Sequence, residues 1–421
     1  MTDISNFTTM RSLLEGLTKA MNLINSDMEK HHEQTAYFSF FIGREMGLNE
    51  TDLRLLIYSA LLHDVGSIVN EETITIQEIE QQATRYAWIG ATMLEDLPYF
   101  HDISNIIALC QSPWGLVHPL IKDNSDQLRW ATLSSIIHTA DIAASCLVPS
   151  EHVLNQTARI CSIIEKGRGV EFMEEAVDAF LHFKDIELIW LDAMMNPNYL
   201  MYFTGSIRDV SLMETAQLTK LVSRIIDYRS SFTAMHSAGV AAVAKELARL
   251  CGMSPDDIIK MEIAGNLHDV GKLVVPREIL EKPGKLTDEE FNIIKEHAYY
   301  TRYVLKDIIG FGEIANWAGF HHEKLDGHGY PFHLSSDQLD LGSRIMAVAD
   351  IFSAITEVRP YRDGMKQEQA ISVMKENVAK NAISKEIVDV LITNYDTIDK
   401  IRDTVSREEG KRYFMSFQKQ P

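Results

Sequence analysis

The chain contains one pattern twice. In the first half, "HHEQTAYFSFFIGREMGLNETDLRLLIYSALLHDVG" runs from His31 to Gly66; in the second, "HSAGVAAVAKELARLCGMSPDDIIKMEIAGNLHDVG" runs from His236 to Gly271. In each copy 32 residues separate the opening histidine from the histidine of the HD pair, and a glycine (Gly47, Gly252) stands 16 residues before that pair. Further on, "SSIIHTADIAA" aligns with "SRIMAVADIFS", which sets Asp141 opposite Asp350, and "EEAVDAFLHF" with "SKEIVDVLITNY" continues the match. A repeat of this length means two related folding units, each with its own core. With 421 residues the chain has room for both.

The repeated unit reads as helical. In "GMSPDDIIKMEIAGNLHDVGK", Ser254 suits an N-cap, Pro255 the first helical position, and Asp256 with Asp257 the positive helix end. Ile258, Ile259, Ile263 and Leu267 then recur at helical spacing. Long alternating β patterns are absent. The expected fold class is all-α, as two tandem HD-type helical domains, residues 1–205 and 206–421. Their join falls near residues 200–220, with no low-complexity linker, so the two are expected to be packed together.

Hydrophobic residues make up 46% and charged residues 24% of the chain, the balance of a soluble globular protein. No apolar run is long enough to span a bilayer, and "MTDISNFTTM" does not read as a signal peptide. Cysteines at 110, 146, 161 and 251 lack CxxC spacing, which fits reduced thiols in a cytoplasm rather than a disulfide framework or a cysteine zinc site. The net charge of -20 argues against a nucleic-acid polymer as partner. An anionic substrate needs a local positive source, and bound metal ions are one.

The second copy concentrates candidate ligands: His236, His268, Asp269, His297, His321, His322 and Asp350. One HD dipeptide means little, and any single histidine can be a core residue satisfied by hydrogen bonds. Five histidines and two aspartates, each at a helix end or in a glycine loop, point to metal.

"HDVGK", "EILEKPGKLTDEEFNIIKEH", "HHEKLDGHGYP", "RIMAVADIF" and "RPYR" together resemble the HD-GYP family, a branch of the HD phosphohydrolases that hydrolyses cyclic dinucleotides, chiefly cyclic di-GMP. The resemblance covers about residues 225–400. It implies two divalent metal ions: mixed imidazole and carboxylate ligands suit iron, manganese or zinc better than calcium or magnesium, and the family favours iron or manganese. Asp269 would bridge them. His236, His268 and Asp350 would complete one shell; His297, His321 and His322 the other. Two metals polarise a phosphoryl oxygen and lower the pKa of a bridging water, the help a charged phosphodiester needs.

The resemblance also places Lys272 at the scissile phosphate and Arg359 with Arg362 on substrate phosphate or base. Lys272 alone reads equally well as a partner of a helix C-terminus. Gly327 and Gly329 would let the loop turn, and Tyr330 with Pro331 would shape its mouth; otherwise the loop merely fixes His321 and His322. Glu323 and Asp326 are expected to orient the imidazoles, and Arg344 to be structural or to support the ligands. There are two departures. Some members bind a third metal through a glutamate where this chain has Phe232, and Ser353 replaces the usual aspartate.

The first half resembles a plain HD domain less specifically. His31, His63, Asp64 and Asp141 could hold one metal. Tyr86 stands opposite His297, Cys110 and Gln111 opposite His321 and His322, Ser67 opposite Lys272, and Ser150 and Val153 opposite Arg359 and Arg362. "CQSPWGLVHPL" replaces the glycine loop. A regulatory or scaffolding domain is the main reading, a one-metal phosphohydrolase the other.

These features lead to a cytoplasmic, metal-dependent cyclic dinucleotide phosphodiesterase in bacterial second-messenger signalling. The product would be a linear dinucleotide, and the substrate cyclic di-GMP, with 3'3'-cyclic GMP-AMP as the alternative. A noncatalytic cyclic dinucleotide receptor and a nucleotide phosphomonoesterase are the rivals. A homodimer or a signalling-protein partner is left open.

Overall fold

In a computed structural model, the structure describes residues 6–23, 30–69, 83–95, 100–121, 124–195, 197–198, 208–228, 236–282, 284–357 and 364–418. Helices dominate, and the described strands form one two-stranded sheet. Two compact units result: Met21–Ile207, and Met1–Ala20 with Arg208–Pro421.

The first twenty residues therefore group with the second half, unlike the division expected at 205/206. The cause is a contact with no local signal. Strand β1 (Asn6–Thr9) pairs antiparallel with β2 (Asp209–Ser211), Asn6 opposite Ser211 and Thr9 opposite Asp209. Helix α1 (Met10–Asn22) follows, burying Met10, Leu14 and Leu17. Its Lys19 pairs with Asp307 at 2.6 Å, and its Ser12 hydroxyl accepts the Ile309 amide.

In the unit built from the first half, α2 (His31–Glu45) opens on His31, and α3 (Glu50–Leu62) delivers His63 and Asp64 just past its end. A 3-10 turn (Val65–Val69) leads on to α4 (Ala83–Leu94) and α5 (His101–Leu109), which ends before Cys110 and Gln111. Helix α6 (Ser125–Ser145) carries Asp141, and α7 (Glu174–His182) and α8 (Glu187–Met195) close the core. Phe180 packs there edge to face on both Phe38 and Trp190, which meet each other tilted, all three fully buried.

The other unit repeats this order. After α9 (Leu212–Tyr228), α10 (His236–Leu250) opens on His236, and α11 (Pro255–Leu267) delivers His268 and Asp269 past its end. Ser254 caps α11 by accepting the Asp257 amide, with Pro255 in its first turn. A 3-10 turn (Val270–Val274) precedes α12 (Asp288–Leu305), which starts on a Thr287/Glu290 capping box and carries His297. Helix α13 (Gly312–Gly319) ends before His321, and α14 (Leu341–Thr356) carries Asp350. Helices α15 (Gln367–Ala379), α16 (Lys385–Thr393) and α17 (Tyr395–Gln418) complete the unit. The aligned segments at 174–183 and 384–395 form the matching helices α7 and α16.

The HDVG glycine shows what the repeat encodes. A Cβ on Gly271 would sit 1.9 Å from the His297 carbonyl oxygen and 2.7 Å from the Thr301 amide. A Cβ on Gly66 would sit 2.1 Å from the Tyr86 carbonyl oxygen and 2.6 Å from the Gly90 amide. In each unit the next helix, which carries His297 in one and Tyr86 in the other, lays its backbone directly on this glycine. The match also supports setting Tyr86 opposite His297.

Gly271→Ala and Gly66→Ala are expected to destabilise their units by about 1–3 kcal/mol or more, because the clash is with backbone that no rotamer change relieves. Gly312→Ala, whose Cβ would meet nothing within 4 Å, is expected to be neutral or to stabilise by about 0.5–1 kcal/mol. Thermal unfolding of the three variants, followed by circular dichroism, checks the opposite signs.

Candidate metal centre and active site

Helix geometry aims the imidazoles of the second copy. His268, His297 and His321 each donate Nδ1–H to the carbonyl three residues earlier: Gly265 at 2.7 Å, Ile294 at 2.5 Å and Ala318 at 2.5 Å. This fixes the tautomer and leaves each Nε2 as a lone pair directed inward. The Nε2 atoms of His297 and His321 then face each other at 3.2 Å, acceptor against acceptor. His268 Nε2 is buried and makes no hydrogen bond within the described residues, with Asp269 Oδ2 only 3.2 Å away. Lone pairs and carboxylate oxygens converging without protons between them form a donor set for a cation.

Two clusters of such atoms lie side by side: His236, His268 and Asp350, and His297, His321 and His322. Asp269 touches both. Its Oδ2 is 3.2 Å from His268 Nε2, and its Oδ1 is 3.6 Å from His297 Nε2. Asp350 Oδ1 lies 3.2 Å from His236 Nε2 and 4.0 Å from His268 Nε2, while Oδ2 lies 3.7 Å from His322 Nδ1. Ligand atoms bonded to one ion at about 2.1 Å stand about 3.0–3.4 Å apart in octahedral or tetrahedral arrangements. The shorter distances in the clusters match that range.

The electrostatics suit this reading. Burial and the charge of His322 lower the pKa of His297 to about 3, and they hold His321 well below the usual range, so both imidazoles stay neutral as ligands must be. Burial opposes ionisation of Asp269, but His268 and Lys272 outweigh it and hold the carboxyl well below its ordinary value. Burial also opposes ionisation of Asp350, and His236 and His322 reverse it. His236 is the exception: burial is overcome by Asp350 and Glu357, which raise its pKa to about 10, so the metal-free imidazole is protonated and an ion binding there has to displace that proton.

Lys272 Nζ pairs with Asp269 Oδ2 at 2.6 Å, at the edge of the cluster rather than at a helix C-terminus. The Tyr330 ring lies 4.8 Å from that of His322, and Phe291, 42% exposed, meets Tyr330 edge to face. Burial, Asp350 and Asp269 push the Tyr330 phenol above its ordinary pKa. Gly327 has φ +77, and a Cβ on Gly329 would strike the Glu323 backbone at 2.4 Å, so the loop uses both glycines. The Tyr330–Pro331 peptide is cis.

Glu323 and Asp326 differ from expectation. Buried Glu323 accepts the amides of Phe332 and Leu334 at 2.7 and 2.9 Å, and Asp326 accepts the His328 amide. They tie the loop to itself instead of orienting the ligand imidazoles. Arg344 is structural, donating to the carbonyls of Leu339 and Ser336. Phe232, Arg359 and Arg362 lie outside the described residues.

Two contacts have no counterpart in the sequence reading. Thr301 donates to the His268 carbonyl at 2.8 Å and accepts the Gly271 amide at 3.0 Å, which clamps the HD turn to α12. Its signal was its place one turn after His297. Glu357, buried, sets Oε2 3.4 Å from His236 Nδ1. Its signal was its place two turns after Asp350.

The first copy gathers one set. His31 Nε2 lies 3.1 Å from Asp141 Oδ1 and 3.5 Å from Asp64 Oδ2; His63 Nε2 lies 3.4 and 3.1 Å from the same oxygens and 3.3 Å from His31 Nε2. These separations are those of ligand atoms that could share one ion. His63 donates Nδ1–H to the Ala60 carbonyl, as His268 does to Gly265. Gln111 donates to Asp141 Oδ2 at 2.9 Å, on the oxygen that corresponds to the one facing His322. Burial, Asp64 and Asp141 hold the Cys110 thiol well above its ordinary pKa, so it stays protonated.

Models of the HD domain match residues 28–166 and 220–386. A 3'3'-cGAMP-specific phosphodiesterase of Vibrio cholerae is 28% identical over 392 residues, 90% of each chain. A cyclic di-GMP phosphodiesterase of Pseudomonas aeruginosa is 42% identical over 315 residues, 74% of this chain and 65% of its own length. The crystal structure of another cyclic GMP-AMP phosphodiesterase of Vibrio cholerae superposes with a TM-score of 0.63 at 23% identity, covering 92% of this chain and 98% of that one, which shows a shared fold. No helix among the described residues is long and apolar enough to cross a membrane. The chain carries two HD domains in tandem and is homologous to the HD-GYP phosphodiesterases of cyclic di-GMP and cyclic GMP-AMP.

Proposed function

We propose that this chain is a metal-dependent phosphodiesterase that opens a cyclic dinucleotide to a linear one in its C-terminal HD domain. One observation carries the reading: the two oxygens of Asp269 face two separate clusters of inward-directed ligand atoms. His236, His268 and Asp350 would hold one ion and His297, His321 and His322 the second, with Asp269 facing both sets. Iron or manganese suits this donor set better than calcium or magnesium. Bound there, such ions supply Lewis acidity to a phosphoryl oxygen and ionise a water near neutral pH.

The chain's own residues place the substrate. Lys272 sets a cation beside Asp269 where the phosphodiester charge must come to rest. Tyr330, packed on His322, lines the mouth. Arg359 and Arg362 grip phosphate or base. Hydrolysis joins the oxygen of water to phosphorus, breaks the bond from phosphorus to the 3' oxygen, and returns a proton to that oxygen.

Cyclic di-GMP is the leading substrate, on the 42% identity to a relative named for it. The relative matched over 90% of both chains is named for 3'3'-cGAMP, and this favours the second reading. The two substrates differ in one base, so one or two side chains decide between them. The four cysteines, none of them in a disulfide, fit a cytoplasmic site of action.

The N-terminal HD domain is regulatory or scaffolding in this proposal. Its ligand side chains His31, His63, Asp64 and Asp141 would hold one ion. Tyr86, Cys110 and Gln111 supply no second set, and Ser67 supplies no cation.

The test is anaerobically purified protein, its metal content measured, incubated with a panel of cyclic dinucleotides. Turnover of none by metal-loaded protein overturns the proposal in favour of a receptor. Asp269→Ala is expected to abolish hydrolysis while circular dichroism remains that of the parent; full metal content with retained turnover would remove Asp269 from its role. Arg359→Ala is expected to weaken substrate binding with metal content unchanged, read by equilibrium titration. With Phe232 in place of a third acidic ligand, anomalous scattering is expected to count two ions in the C-terminal centre. His63→Ala combined with Asp64→Ala is expected to keep both and to alter turnover only modestly; complete loss of hydrolysis in that folded protein would refute the division of labour.

A further inference from the structure

We propose that the C-terminal HD domain carries a second ligand site, for a small organic anion with an apolar body, in a cavity walled by α9, α10, α11 and α17.

The cavity has a volume of about 360 Å³, within the range of small-molecule sites, roughly 300–1,000 Å³. Its floor is apolar: Ala238, Ala241 and Ala242 on α10, Ile258 on α11, and Ile401 with Val405 on α17. The candidate metal ligands are not among the side chains that line it.

The first copy shows what this space replaces. With His31 set opposite His236, Tyr37 matches Ala242, Phe40 matches Lys245, Ile57 matches Glu262 and Leu61 matches Asn266. The four first-copy side chains are at most 2% exposed and belong to the core of their unit. In the second copy the same positions put a methyl group, an ammonium, a carboxylate and an amide around a cavity. Asn266 is 2% exposed and the Glu262 side chain 12%. Burying polar groups where apolar ones would pack costs stability, and a ligand that uses them accounts for the exchange.

Charge defines the ligand. Four basic and three acidic side chains line the cavity. Arg224 pairs with Glu409 at 2.9 Å, and Arg249 with Glu246 at 2.7 Å, one cation to one anion. Lys220 and Lys245 instead share Glu262, on Oε1 at 2.9 Å and on Oε2 at 2.5 Å. Burial opposes ionisation of Glu262, and Lys245 with Lys220 hold its carboxyl below the usual range. Two ammoniums on one carboxylate leave a positive charge over, in a chain whose net charge is -20. A ligand carboxylate or sulfonate shared by the two ammoniums balances it, with the apolar body on the alanines. Ile258, Glu262 and Asn266 recur at four-residue spacing on one face of α11. That helix ends at His268, so an occupant bears on the element that presents the HD pair.

The probe is 1-anilinonaphthalene-8-sulfonate, a monoanion on apolar rings, titrated into the full chain by calorimetry and by fluorescence. Its uncharged analogue N-phenyl-1-naphthylamine is the comparison. Ala242→Tyr returns the bulk that Tyr37 supplies in the first copy and is expected to weaken binding of the sulfonate about tenfold or more. Lys245→Gln is expected to weaken the sulfonate about threefold and to leave the uncharged analogue unchanged. Circular dichroism checks that each variant is folded. Parental affinity for the sulfonate in folded Ala242→Tyr overturns the site, as does a parent that does not bind it. Equal effects of Lys245→Gln on both probes overturn the anion. Should Ala242→Tyr not fold, Ala238→Phe, at a half-buried position of the same floor, decides by the same measurement.

Discussion

Two aspartates and four imidazoles buried in a helical core are the constraint on which the C-terminal unit depends. Isolated, each charge would be expelled from such a place or neutralised. Here the carboxylates stay ionised because imidazoles and Lys272 surround them, and three of the imidazoles are held because backbone carbonyls take their outer protons. The HD pair sits where α11 stops, so two adjacent side chains can turn into the same cavity. Gly271 lets α12 come down onto that turn, and Thr301 locks it. Remove the close approach and His297 no longer meets His321. Backbone packing and ligand geometry are therefore a single requirement, met in the same few residues.

Much of this was legible in the chain. The 32-residue spacing fixes one helix, a turn and a second helix, and therefore the separation of His236 from His268. The adjacent His321 and His322 mark a helix end for the same reason as the HD pair. What escaped reading lacked a local signature. Strand β1 finds β2 across some 200 residues, and nothing in "NFTT" announces a partner in "DVS". Glu323 stands beside two ligand histidines, and adjacency suggested that it served them; its side chain turns away to collect two amides of its own loop. Glu357 lies seven residues from Asp350, within reach of a helical-face argument, but only the structure shows His236 beside it.

The two copies differ in the number of candidate ligand sets they gather. The first set survives in both, because His31, His63, Asp64 and Asp141 are held by the same helix starts and ends. The second set is lost by single replacements at the same backbone positions: Tyr86 on α4, then Cys110 and Gln111 after α5. Gln111 still reaches the shared aspartate, as a hydrogen-bond donor to Asp141 where His322 offers a lone pair. The fold tolerates the exchange because the glycine and the helix packing, not the second ligand set, hold the scaffold.

Charge then limits what the retained centre can accept. A chain of net charge -20 repels a dianion at long range, although salt screens that field beyond about 8–10 Å. Attraction must come from within the site, where the described protein cation at its edge is Lys272, already paired with Asp269. Without ions, the two carboxylates offset this lysine and leave little for a phosphodiester. With two divalent ions the balance reverses, and the same carboxylates hold the positive charge in place. Substrate binding and metal loading are therefore linked in the proposed reaction: the side chains that make the metal-free cavity hostile to phosphate are those that make the loaded one attractive.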